Sequence, residues 1–359
     1  MTVLQQVEWL DPLVEPGRNK ELDRYVVEQT GARIPTAGFF ATCPWIMRAD
    51  VDLDFGYVHL DGDLTALLYM AVSRDNSCRF CYGAARMLMR MGGMSERRIR
   101  KLEHDADSVL APGIRLALDF ARRVSRANPL PVIADEKDLR DAGYGEAAIR
   151  ELAFYASEVV FHNRVYTLLA LPPRFQERIG GSRLLVQLMR LRFRGLIERA
   201  YEPGGPEVLE AGLEAGPFAN LVRALDGLPA ARVLRKILDE AWASPHLPAR
   251  TKALVFAVVA RGLGSARAEA EAARLLLAAG LGLEEVEEIL SHLASPALDP
   301  VETAILPYAR ETIWYQPADI QRRGRELAGR LSREQLLETV GIAGLANMVG
   351  RMAIVLDAA

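Results

Sequence analysis

Sliding the chain by 187 positions lays Ala66 to Leu102 on Ala253 to Ile289 without a gap. An internal match of this length constrains the fold more than any local motif, because one architecture must then serve twice. Ala66, Leu67, Val72, Arg74, Ala85, Leu88 and Gly93 meet identical residues at Ala253, Leu254, Val259, Arg261, Ala272, Leu275 and Gly280. With one extra residue, Pro112 falls on Pro300 and Phe120-Ala121-Arg122 falls on Tyr308-Ala309-Arg310; further on, Glu151, Arg164 and Leu169 fall on Glu338, Arg351 and Leu356. Three colinear blocks predict a duplication: two similar bundles packed as a pseudo-symmetric pair, like a homodimer joined in one chain.

The repeated unit reads as helix. Apolar residues recur at three- and four-residue spacing from Leu64 to Met91, Ile114 to Ala127, Glu146 to Leu171 and Arg183 to Tyr201, without sustained alternation. The expected fold is all-α. Breakers separate the segments, and Pro203-Gly204-Gly205-Pro206 is the best linker candidate. The chain's 359 residues suit two domains, placed at residues 1–178 and 179–359. Asp75-Asn76-Ser77 and Ser95 offer helix-capping side chains.

Half the residues are apolar and a quarter are charged, which excludes a disordered chain. A net charge of -3 supplies no basic field for nucleic acid or an anionic membrane. Apolar runs such as Leu254 to Ala260 fall short of the roughly 18–20 residues that span a bilayer. The first residues show no basic segment followed by an apolar one, so a cytoplasmic protein is expected. Three cysteines do not make a disulfide scaffold.

Chemistry concentrates in Asn76-Ser77-Cys78-Arg79-Phe80-Cys81-Tyr82. Two cysteines three apart at a helix start lie on one face, where free N–H groups and the helix dipole favour a thiolate. Such a pair suits redox work: one thiolate attacks an oxidant or disulfide and the second thiol closes the ring. Zinc would need two further ligands, and neither Cys43 nor the histidines provide a second close pair. The other reading is two small buried residues that happen to be cysteine.

AVSRDNSCRFC, YGAARMLMRM, GGMSE and RRIRKL together resemble the signature region of the carboxymuconolactone decarboxylase and alkylhydroperoxidase D-like family. LALDFARRVSR, DAGYGEAAIRELAFYAS and FHNRVYTLL resemble its later helices, so about a hundred residues are covered, and the second half looks like a degenerate copy. The resemblance implies a reversible dithiol, with Cys81 attacking and Cys78 resolving. It also implies a proton relay of Glu and His at positions where this chain has Ala66 and Ala85. Without them no group is placed to deliver a proton.

His162 is a candidate catalytic residue on a helix that could pack near the pair, set against a half-buried packing role; Tyr82 and Asp75 are candidates by adjacency. Ser265 and Ala268 stand opposite Cys78 and Cys81, so the second half reads as structural. Asp50-Val51-Asp52-Leu53-Asp54-Phe55-Gly56 departs from a calcium loop and reads as an acidic loop. Gly262-Leu263-Gly264-Ser265 reads as a helix boundary, Cys43 as buried, and Arg183, Arg190, Arg192, Arg194 and Arg199 as a solvated or inter-domain face. The expected function is a thiol-disulfide oxidoreductase or weak peroxidase that uses a small-molecule substrate or hydroperoxide and a thiol reductant. No cofactor or metal is expected, and a homo-oligomer is compatible. The rivals are a cofactor-free lactone or carbon-acid lyase and a non-catalytic binding protein.

Overall fold

The apolar segments are helical wherever they are described in the computed structural model, which covers residues 3–53, 57–105, 110–192 and 215–356; the segment expected from Arg183 to Tyr201 lies outside the described residues beyond Arg192. Among the described residues there is no strand. The first half runs α1 (Lys20–Thr30), a 3-10 turn (Pro35–Phe40), α2 (Pro44–Leu53), α3 (Gly62–Asp75), α4 (Arg79–Met91), α5 (Glu96–His104), α6 (Pro112–Arg126), α7 (Ile133–Asp141) and α8 (Glu146–Leu168). There follow α9 (Arg174–Gly181), α10 (Arg183–Arg192) and α11 (Ala219–Arg223). The second half continues with α12 (Pro229–Ala243), α13 (Ala249–Leu263), α14 (Ala266–Ala278), α15 (Leu283–His292), α16 (Pro300–Glu311), α17 (Pro317–Ala328) and α18 (Arg333–Leu356). The starts of α3, α4, α5 and α8 precede those of α13, α14, α15 and α18 by 187 residues, and α6 precedes α16 by 188.

The apolar run from Leu64 to Met91 is two helices rather than one. Ser77 takes a left-handed φ of 53°, and the Cys78 N–H returns to the Ser73 carbonyl, which turns the chain between α3 and α4. The expected cap residues do other work: Asp75 accepts Arg122 and Arg126, and the Asn76 amide donates to the Val72 carbonyl. Cys78 itself caps α4, its sulfur accepting the Cys81 N–H. Ser95 does cap α5, accepting the Arg98 N–H at 3.2 Å. Asp50 and Asp52 lie in the last turns of α2, not in an acidic loop, because the apolar positions Ile46, Met47, Ala49 and Leu53 bury that helix. Gly264 ends α13 at a φ of 71°, the expected boundary. Of the basic face, Arg190 is exposed; the other four side chains and the Pro203–Pro206 segment lie outside what is described.

The two longest helices, α8 and α18, pack against each other, and one hydrophobic core runs through both halves. α18 has the length and hydropathy of a membrane span, but 94% of its most apolar window is buried inside the protein, so a core position accounts for that composition. Close approach of the pair depends on Gly344, where an added Cβ would stand 3.2–3.3 Å from Val165 and Phe161. Two buried carboxylates then tie chain to helix at equivalent places. Glu151 accepts the N–H groups of Val58 and His59, and Glu338 accepts that of Leu247 while pairing with the buried Lys252 at 3.0 Å.

Gly344→Val should wedge α8 from α18 and destabilise the protein by about 1–3 kcal/mol, the usual cost of overpacking. Urea unfolding followed by circular dichroism measures this; an unchanged midpoint would show that the helix contact tolerates a larger residue.

Candidate active site

The turn between α3 and α4 presents Cys78 and Cys81 on the first turn of α4, with their sulfurs 2.8 Å apart and both thiols free. Both are fully buried. Burial opposes charge on Cys78, yet the Cys81 thiol and N–H, the Thr167 hydroxyl and the Arg164 guanidinium together hold its pKa below the ordinary thiol value. On Cys81, burial and the neighbouring Cys78 raise it, against support from Asn163 and Tyr69. The negative charge of the pair therefore rests on Cys78, the residue that the resemblance casts as the resolving partner.

Arg164 is fixed from three sides. It donates to the Asn76 side chain at 2.9 Å and to the Ile313 carbonyl at 2.8 Å, and its guanidinium lies 4.7 Å from the centroid of the Tyr315 ring. Tyr315 and Ile313 follow α16, so the second half completes the first half's thiol site. Neither was legible as functional, since no local pattern marks a contact made across such a separation. Arg164 itself could be found, because it shares α8 with His162 and has a counterpart at Arg351.

On the other side of Cys81 opens a cavity of about 300 Å³, lined by Tyr69, Ala66, Phe80, Ala84 and Ala85 among others. The two alanines standing in the relay positions both face it. His162 lines it as well, almost fully buried, its Nε2 3.6 Å from Asp50 and neither ring nitrogen hydrogen-bonded among the described residues. Tyr166 stacks on Phe80 with centroids 4.0 Å apart and donates to Asp50. Burial lowers the His162 pKa to about 3 and raises that of Asp50 to about 7 despite the Tyr166 hydrogen bond. Between those values the pair holds one proton, on Asp50.

Tyr82 is not part of this arrangement: its hydroxyl donates to the buried Glu103, which also pairs with Arg86. Cys43 is buried, as expected, near Trp45, Ser244 and Glu338, and burial pushes its thiol pKa far up. Asp50 was read only as part of a loop, and Tyr69 and Gln176 carried no signal beyond helical spacing. Among the described residues, no three His, Cys, Asp or Glu side chains converge to hold a metal ion.

Residues 229–311 match the family model of the carboxymuconolactone decarboxylase family. No curated protein and no solved structure matches the chain. The matched stretch runs from the start of α12 to the end of α16, in the half without the cysteine pair, whereas the Cys78 and Cys81 segment carries the sequence resemblance. In the matched stretch, Ser265 and Ala268 occupy the positions of Cys78 and Cys81, both buried, with the Ser265 hydroxyl making no hydrogen bond among the described residues. No cysteine lies within the matched residues.

Thiolate absorbance in the ultraviolet should show one cysteine ionising below the ordinary thiol pKa of about 8.5. Arg164→Met or Thr167→Val should raise that midpoint and Cys78→Ser should remove it; a low midpoint surviving in Cys78→Ser would move the charge to Cys81.

The His162 and Asp50 shifts oppose each other in stability. His162 is depressed, so its contribution is present above the unfolded pKa near 6.5 and is lost as pH falls toward 3. Asp50 is raised, so the folded carboxyl holds a proton that the unfolded chain has released; its contribution is lost as pH rises from about 4 to 7. From pH 4 to 6.5 the two cancel. Asp50→Asn should therefore become more stable, and His162→Phe less stable, as pH rises through that window, each by up to about 1.4 kcal/mol per pH unit. Urea titrations at three pH values check both slopes, and parallel profiles for both variants would refute the burial of the pair in uncharged form.

Proposed function

We propose that the chain is a dithiol oxidoreductase in which Cys78 and Cys81 cycle between two thiols and a disulfide. The observation that carries this reading is the pair of sulfurs 2.8 Å apart at the start of α4 with Arg164 on the Cys78 side. A buried thiolate with a guanidinium beside it and a second thiol in contact is arranged for attack and resolution. With a hydroperoxide, the Cys78 thiolate attacks the outer oxygen, the O–O bond breaks and the alkoxide takes up a proton to leave as an alcohol. The resulting sulfenic acid is attacked by the Cys81 sulfur, an S–S bond forms, and water departs. A thiol reductant restores the pair by two exchange steps, itself becoming a disulfide.

Ala66 and Ala85 supply no acid for the departing alkoxide, and His162 is held uncharged. Hydroperoxide turnover is accordingly slow, while thiol-disulfide exchange, whose leaving group is a thiolate, is less affected. We also read residues 1–178 and 179–359 as products of a tandem duplication. The 187-residue spacing of four helix starts and the equivalent roles of Glu151 and Glu338 support this. A second reading is favoured by the His162 and Asp50 pair, which lines a cavity that neither sulfur lines: a non-redox enzyme acting on a lactone or carbon acid.

Treatment with one equivalent of peroxide should lower the intact mass by two hydrogens, reversibly with dithiothreitol. Cys81→Ser and Cys78→Ser should each abolish that change, and Ser265→Ala should leave it intact. A turnover reaction that persists in the Cys78→Ser, Cys81→Ser variant would instead establish the second reading.

A further inference from the structure

We propose that the cavity beside the dithiol binds an uncharged, mainly apolar molecule with one hydrogen-bonding head group, and that Ala66 and Ala85 set the space it occupies. The proposal goes beyond the redox reading and does not require the thiols.

A volume of about 300 Å³ lies at the small end of ligand pockets, roughly 300–1,000 Å³. Met87, Met91 and Met189, on α4 and α10, line part of the wall with flexible thioether side chains that adapt to ligand shape. The wall is mainly apolar, and two of its polar side chains are buried without a hydrogen-bond partner. Both His162 nitrogens and the Gln176 Oε1 lack a hydrogen-bond partner among the described residues, at residue exposures of 1% and 7%. An unpaired buried polar atom costs about 1–3 kcal/mol, so a ligand head that pairs with one gains what the empty site lacks.

Charge is disfavoured in the ligand for the same reason. Among the described residues no Lys or Arg lines the cavity, so a carboxylate or phosphate would enter without a counter-charge. Asp50 is the acid that lines it, and it already accepts a hydrogen bond from Tyr166. At positions 66 and 85 a methyl group is all that projects, where longer side chains would take up the space and ionisable ones would add charge. Ala66 is half-buried and Ala85 buried, so the first tolerates enlargement more easily.

Calorimetric titration of decanol, decanoate and decylamine into the Cys78→Ser, Cys81→Ser variant tests the proposal apart from any redox activity. The expected result is one saturable site for decanol, with the two charged analogues at least tenfold weaker. Ala66→Leu and Ala85→Leu, each checked for unchanged helicity by circular dichroism, should each weaken decanol at least tenfold, and His162→Leu should weaken it measurably. If one leucine variant fails to fold, the other decides. Absence of saturable decanol binding, equal binding of either charged analogue, or leucine variants that bind like their parent would overturn it. Decanol binding retained beside a native protein that peroxide cannot oxidise would reject the redox reading and leave this one standing.

Discussion

Two guanidinium groups are buried in the middle of this protein, and among the described residues neither has a carboxylate partner. Arg164 on α8 donates to the Ile313 carbonyl just beyond α16; Arg351 on α18 donates to that same carbonyl and, through Nε, to the Ser125 carbonyl in the last turn of α6. Each arginine thus reaches the C-terminal end of a helix in the opposite half, where exposed carbonyls and the helix dipole favour a cation. Burial and the neighbouring charge of Arg164 press the Arg351 pKa well below its ordinary value. Two like charges sharing one carbonyl are tolerable only if something nearby is negative. The acidic groups beside Arg164 are the Cys78 thiol and the Tyr315 hydroxyl, so the ionisation of Cys78 is coupled to the arginines that join the two halves.

That coupling gives the site a polarity. Arg164 and Tyr315 stand on the Cys78 side, whereas Cys81 is supported by Tyr69, which lines the cavity. Between about pH 3 and 7 the cavity holds no charge from this pair, because burial has taken the proton from His162 and kept one on Asp50. Of the two sulfurs Cys78 ionises the more readily, and Cys81, its pKa raised, keeps its proton to higher pH.

Sequence reading found what periodicity and short spacing encode. Among the described residues, helices appear where apolar residues recur at three and four, and the spacing of three puts Cys78 and Cys81 on one face at the start of a helix. What it missed depends on long-range packing. Asp50 and His162 are far apart in the chain and meet only because α2 lies near α8. Tyr315 reaches Cys78 only because the second half packs against the first. The cap was misread for a related reason: Asp75 and Asn76 are good cap residues in isolation, but Arg122, Arg126 and Arg164 compete for their oxygens. Ala66 and Ala85 were legible as missing functional groups; that they border a cavity was visible only once α3 and α4 were packed.

The two halves solve the same turn differently. At equivalent positions, Ser77 and Gly264 both adopt a left-handed backbone, with φ of 53° and 71°. Glycine enters that region without steric penalty, whereas for serine it costs roughly 1 kcal/mol or more. The strained version precedes Cys78, which caps its own helix through sulfur, a weak acceptor, while the relaxed version precedes Ser265, whose hydroxyl caps nothing. The half with the family match has the turn without that strain and no cysteine, so the matched residues and the cysteine pair lie in different parts of the chain.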